Sequence, residues 1–307
     1  MKLKELLESD KLPSKNELSD EDLVRFFRKY KGLLKERERD KAFWAATNEN
    51  LKIAYEKLGE KDEELVKVYS IIREDLSVAR QIQEALLPKM PDKMEKLLDL
   101  AVYHKQLAEV GGDYYDFFTT KNDNHALGLF DMSGHGISAA LVINYLKAQF
   151  MMVMERLESP KKIVELVNNI SHTFLTTIKK YATVNFIVFR RDTFRYVNGG
   201  GFGLLLHGGE QHPFVRKDPF LGLRTKPFHE FKLPFKKGDL LALYTDGMVE
   251  AQNDRSEDYS VKRLNGLIID NVKKPVQDIL KICLDDYQSF RSKDTDDITL
   301  IILRKKI

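Results

Sequence analysis

Carboxylates gather at four places along the 307-residue chain, each beside residues small enough to let the backbone turn sharply. The first group is Glu109-Val110-Gly111-Gly112-Asp113-Tyr114-Tyr115-Asp116, and the second is Phe130-Asp131-Met132-Ser133-Gly134-His135-Gly136. The third is Leu243-Tyr244-Thr245-Asp246-Gly247-Met248-Val249-Glu250-Ala251, and the fourth Asp294-Thr295-Asp296-Asp297-Ile298-Thr299. Carboxylates without a His/Cys cluster suit hard cations such as Mg²⁺ and Mn²⁺, which take carboxylate, carbonyl and water ligands. Two such ions about 3.5–4 Å apart can bind a phosphoryl oxygen and generate hydroxide from a bridging water. Hydrolysis then runs in line, with no covalent enzyme intermediate. Glycine beside the aspartates lets the backbone approach an ion closely. A lone Asp246-Gly247 would be an ordinary turn; four such groups at strand ends in one domain point to a site.

The elements that must hold these groups are short apolar runs punctuated by glycine. Strands are predicted over Leu98–His104, Ala126–Phe130, Ala182–Phe189, Thr193–Val197, Phe202–His207, Asp239–Tyr244 and Ile298–Leu303. Helical patterns fall between them at Ile137–Arg156, Pro160–Lys180 and Val276–Ser289. Turn residues at Arg190–Asp192 and Gly208-Gly209 favour hairpins, hence antiparallel sheets with helices outside.

Upstream, Leu51, Leu58, Leu65, Ile72, Ala79 and Leu86 recur every seventh residue. Tyr55, Asp62, Tyr69, Leu76 and Gln83 take the alternate seam position. This predicts a coiled coil over residues 46–90, and hence a homodimer, against the alternative of a long helix lying along its own domain. Asp62, Tyr69 and Gln83 weaken the seam. The helix is expected to end near Leu87, because Pro88 and Pro91 follow. Residues 1–45 read as a charged helical regulatory segment, with helix-start chemistry at Ser19 and Asp22. The remainder, 91–307, is the catalytic domain.

The composition limits the choices. Fifty basic and 47 acidic residues leave a formal net charge of +3, which offers no electrostatic footprint for nucleic acid. Cys283 is the single cysteine, so no disulfide can form within the chain, as suits a reducing cytoplasm. The N-terminus lacks an apolar secretory region, and no run of eighteen uninterrupted apolar residues occurs, so no membrane association is expected. Neither a P-loop nor a dinucleotide glycine pattern is present, which counts against a hydrolase of nucleotides or small phosphate esters.

In order and spacing, the four groups resemble the SpoIIE-like (RsbU-type) branch of the bacterial PPM/PP2C serine/threonine phosphatases. Ala79-Arg80-Gln81-Ile82-Gln83-Glu84-Ala85-Leu86-Leu87-Pro88 looks like the helix that enters such domains. The resemblance implies an α+β fold, a PP2C-like β-sandwich of two antiparallel sheets flanked by helices, here preceded by an N-terminal helical or coiled-coil region. It implies two divalent cations, Mn²⁺ or Mg²⁺, with Asp131 bridging both and the Met132 carbonyl a further ligand. Asp246 and Asp296 resemble the side chains on the other ion, and Asp113 the aspartate that contacts an ion or its water. Asp131, Asp246 and Asp113 are thus the expected catalytic residues, with Asp116 and Asp297 outside the main set. His135 is expected to pack or cap its turn, with a general acid as the alternative, and Ser133 not to act as nucleophile. Asn198-Gly199-Gly200-Gly201 stands where relatives usually read Asn-Ala-Gly-His, so Gly201 replaces a histidine. No arginine is evident near the first group to grip phosphate, which leaves affinity to protein docking. The implied substrate is a phosphorylated STAS-domain regulator, with a regulatory protein at the N-terminal helices. A catalytically weak scaffold of the same fold is the competing reading.

Overall fold

The computed structural model describes residues 19–307, so the opening of the expected regulatory segment, residues 1–18, lies outside the described residues. Ser19 starts the first helix. Its hydroxyl accepts from the Asp22 amide at 3.3 Å and donates to the Asp22 carboxylate at 2.7 Å, pairing an amide the helix itself leaves orphaned. Helix α1 then runs unbroken from Asp20 to Ala85, straight through residue 45 where the composition changes. The chain divides inside this helix, after Arg73. In the first unit Leu51, Tyr55, Leu58, Leu65, Tyr69 and Ile72 are all exposed, so burial within the chain does not account for their apolar repeat.

The second unit, Glu74–Ile307, begins with the last turns of α1. A short α2 (Asp92–Glu95) leads to β1 (Leu98–Lys105), β2 (Asp113–Thr119) and β3 (His125–Met132). Two helices follow, α3 (Ile137–Met154) and α4 (Pro160–Thr177), then β4 (Ala182–Phe189), β5 (Thr193–Gly199), β6 (Phe202–His207), β7 (Glu210–Pro213), β8 (Phe231–Pro234) and β9 (Leu240–Tyr244). The chain closes through α5 (Asp246–Val249), α6 (Val261–Asp270), α7 (Val276–Phe290) and β10 (Ile298–Lys305). One sheet has the order β1-β10-β9-β6-β7 and the other β2-β3-β4-β5-β8, every neighbouring pair antiparallel.

Side chains on a strand alternate faces, and here both faces are apolar. On β3, Leu127 and Leu129 join the core between the sheets, while Ala126, Phe130 and Met132 join the core beneath α3 and α4. On β10, Ile301 and Leu303 face the other sheet, while Leu300 and Ile302 pack beneath α6 and α7. Covering on both sides explains why these strands read as continuous apolar runs. Helix α3 has the length and composition to cross a bilayer, but Val142, Ile143, Leu146 and Phe150 bury its inner face in the core.

Candidate active site

Antiparallel pairing brings the carboxylate groups to one end of the sandwich. Asp113 at the start of β2 is the register partner of Asp131 near the end of β3. Tyr244, which ends β9, pairs with Leu300 just inside β10, so Asp246 and Asp296 arrive at the same edge from the other sheet.

Asp113 is 1% exposed, and two hydroxyls from that other sheet secure it. Thr245 Oγ1 donates to its Oδ2 at 2.8 Å and Thr299 Oγ1 to the same atom at 2.7 Å. Because the Thr299 hydroxyl spends its only proton on Asp113, it accepts from His104 Nδ1 at 3.0 Å, which fixes the imidazole tautomer. Burial raises the Asp113 carboxyl well above the usual range, with Asp297 and Asp246 adding to the shift against those two hydrogen bonds. Asp131 is pushed up to about 9, first by burial and then by Asp113, Asp246 and Asp296. Asp296 is exposed at the rim, accepts from the Asp297 amide at 2.8 Å, and is shifted upward by desolvation and the neighbouring carboxylates.

Among the described residues, the main influences on Asp113 and Asp131 are burial and neighbouring carboxylates, with no basic group among them. A divalent cation is the natural counter-charge. Among the described residues no three such side chains converge on one point as a ready-made cage. Mg²⁺ and Mn²⁺ do not require one, since they commonly take one or two carboxylates and keep several waters. Glycine at residue 112 leaves space beside the Met132 carbonyl, since a Cβ there would stand 3.0 Å from that oxygen. The donor set therefore fits such ions.

Asp297 and Asp116 have other duties. Asp297 accepts from the Leu107 amide at 2.7 Å and the Gly112 amide at 2.5 Å, pinning the glycine loop to β10. A Cβ on Gly247 would lie 2.0 Å from the Asp297 carbonyl oxygen, so only glycine lets α5 start this close to β10. Asp116 accepts from Tyr114 Oη at 2.5 Å and pairs with Lys147 at 3.1 Å. Lys147 also donates to the Leu86 carbonyl at 2.7 Å, fastening the end of α1. Gln83, 2% exposed, bridges the same helix to the loop: its Nε2 donates to Gly111 O at 2.9 Å and its Oε1 accepts from Gly111 N at 3.1 Å.

Ser133 Oγ accepts from the Tyr181 amide at 3.1 Å, a structural use of the hydroxyl. His135 is solvent-exposed, so of the two structural roles expected for it, packing or capping its turn, burial in a packed turn is not the one it takes. A Cβ at position 201 would stand 2.5 Å from Asn185 Nδ2, so a side chain there would have to displace the Asn185 amide from its place. Asn185 and Asn198 instead hold that loop by donating to the carbonyls of Phe202 and Gly201.

A cleft of about 150 Å³ opens beside these groups, lined by Asp131, Asp246, Thr183, Tyr244 and Glu250, and also by Arg216 and Phe202. Arg216 escaped the sequence reading because it lies between β7 and β8 in a segment with no motif. A larger cavity of about 540 Å³, lined by Met94, His125, Phe189, Arg191, Phe235 and Lys305, lies at the opposite ends of the strands and shares no residue with the carboxylates.

Residues 121–306 match the family described as Stage II sporulation protein E (SpoIIE). The chain is 26% identical over 250 residues to "Phosphoserine phosphatase RsbU" of Bacillus subtilis (strain 168), spanning 77% of this chain and 71% of that protein. It is 26% identical over 188 residues to "Phosphoserine phosphatase RsbP" of the same organism, spanning 58% of this chain and 46% of that protein. The fold is similar to the SiaA-PP2C domain of Pseudomonas aeruginosa at a TM-score of 0.68 and 20% identity, over 77% of this chain and 98% of that one.

Proposed function

Since the chain belongs to the SpoIIE family, the RsbU-type branch of the PP2C serine/threonine phosphatases, we propose that it dephosphorylates a protein regulator of the STAS type. Asp131 and Asp246 would hold two divalent cations, Mn²⁺ or Mg²⁺, with Asp113, Asp296 and the Met132 carbonyl completing the ligand set. Such ions polarise the phosphoryl oxygens and lower the pKa of the attacking water. The chain's own part is positional. Thr245 and Thr299 restrain Asp113, and Asp297 restrains the loop that precedes it. A ligand fixed in this way needs little reorganisation during reaction.

The observation that carries this reading is that Asp113, Asp131 and Asp246 reach the same end of the sandwich from two sheets, close enough for Asp113 and Asp246 to raise the Asp131 carboxyl. The test is release of phosphate from a phosphorylated STAS-domain protein at graded Mn²⁺ and Mg²⁺. Metal-dependent release is expected. A protein that binds the ions yet releases none would instead be a scaffold.

The exposed heptad face of α1 supports a coiled-coil homodimer with a regulatory partner on the N-terminal helices. Gln83, tying the last turn of α1 to the Gly111 loop, and Lys147 of α3, tying the Leu86 carbonyl at the end of α1 to Asp116, supply a route from helix to site. The single, buried Cys283 accords with a cytoplasmic setting.

A further inference from the structure

We propose that Arg216, held on the face of an aromatic stack, grips the phosphoryl group of the incoming substrate. The inference rests on the phosphatase reading above, which by itself assigns no phosphate-binding side chain. Phe202 and Tyr244 are register partners on β6 and β9, and their rings stack with centroids 5.5 Å apart. The Arg216 guanidinium carbon lies 4.4 Å from the Phe202 centroid, on this stack. Tyr244 is anchored from beyond, donating its hydroxyl to Asn265 Oδ1 at 2.9 Å. The residue after Tyr244 is Thr245, which holds Asp113, and the next is Asp246. The stack therefore grows out of the same strand end as the carboxylates.

Of the residues lining the cleft beside Asp131 and Asp246, Arg216 alone is cationic; Asp131, Asp246 and Glu250 are acidic. A phosphomonoester dianion entering there meets two bound cations on one side, on this reading, and needs a donor on the other. A guanidinium suits that part, since its planar fork matches two phosphoryl oxygens and remains charged at any working pH. The contact with the Phe202 ring does not use up the guanidinium's hydrogen-bonding capacity, which leaves N–H groups to donate to phosphoryl oxygens. The side chain is exposed, and its charge draws the Glu250 carboxyl down against the burial and neighbouring carboxylates that raise it, which places the guanidinium in the field of the site. The stack stands next to the loop where a side chain at position 201 would have to displace the Asn185 amide, and the cation is supplied from a different segment.

The experiment compares the wild type with R216A, R216K and F202L in saturating Mg²⁺. Turnover of p-nitrophenyl phosphate is measured, and binding of inorganic phosphate is measured separately by calorimetry. R216A is expected to raise KM and the phosphate Kd about tenfold or more, with kcat and the Mg²⁺ concentration for half-activation within about threefold of wild type. R216K, which keeps charge but loses the fork, is expected to fall between. F202L, which retains bulk but removes the ring face, is expected to shift both constants the same way by a smaller factor. Unchanged KM and Kd in R216A would overturn the proposal, as would a loss confined to kcat. If the wild type binds phosphate through Arg216 but turns nothing over, the proposal stands and the phosphatase reading falls.

Discussion

Replacing Asp131 with asparagine removes a carboxyl whose ionisation the metal-free fold opposes. Folded, the carboxyl titrates at about 9; unfolded, it returns to about 3.9. Between those values the folded state carries more protons than the unfolded chain. Its contribution to metal-free stability is therefore complete below about pH 4 and is lost as pH rises toward 9. D131N in chelator at pH 8 is expected to be more stable than wild type by on the order of 1–2 kcal/mol, with a flatter profile between pH 5 and 9. The same variant is expected to lose phosphatase activity and the rise in thermal midpoint on adding Mn²⁺. Thermal denaturation across pH, with and without metal, checks both halves; a pH slope equal to wild type would remove the basis for the claim. Asp113, Asp131 and Asp246 could be singled out in the sequence because each sits in a short motif at a strand end. Arg216 could not, because its place depends on a loop folding back over Phe202. The roles of Thr245 and Thr299 are equally hidden in the sequence: both lie within the acidic motifs, but their use depends on two sheets meeting.

Among the elements, the end of α1 departs most from its sequence pattern. Gln83 looked like a polar weakness in a heptad seam, yet it is buried against Gly111. Periodicity reports which residues share a face and is silent on what covers that face. For the same reason β2 was hidden, its residues having been read as a carboxylate group, and β7 and β8 are too short and polar to announce themselves. The strands with two covered faces, β4 and β10, were legible as apolar runs. Lys147 offers a measurement at this scale, since it joins the Leu86 carbonyl to buried Asp116. K147M is expected to destabilise the domain by about 2–4 kcal/mol, because it leaves Asp116 without a cation in a site that already disfavours its charge. Adding D116N is expected to restore part of that loss, which denaturant unfolding of both single variants and the double variant would reveal. Additive losses would mean the two side chains act separately.

For the whole molecule, the heptad face decides the assembly. Glutamate at Leu58 and Leu65 places like charges in the proposed seam, and L58E/L65E is expected to sediment as a monomer at concentrations where wild type is dimeric. A monomeric wild type at high concentration would refute the coiled coil. The strand order has a further consequence, for the time at which the enzyme comes into being. Leu98 on β1 pairs with Lys305 on β10, and β10 alone connects β1 to the rest of its sheet. Nearly the whole domain must thus be synthesised before that sheet can close, and loop closure over about two hundred residues makes such pairing slow. Asp296, Asp297 and Thr299 arrive with that strand, so the carboxylates gathered from the two sheets meet only at the last folding event. Catalytic competence then behaves as a late kinetic phase: in refolding from denaturant, helix content is expected to return well before phosphatase activity does.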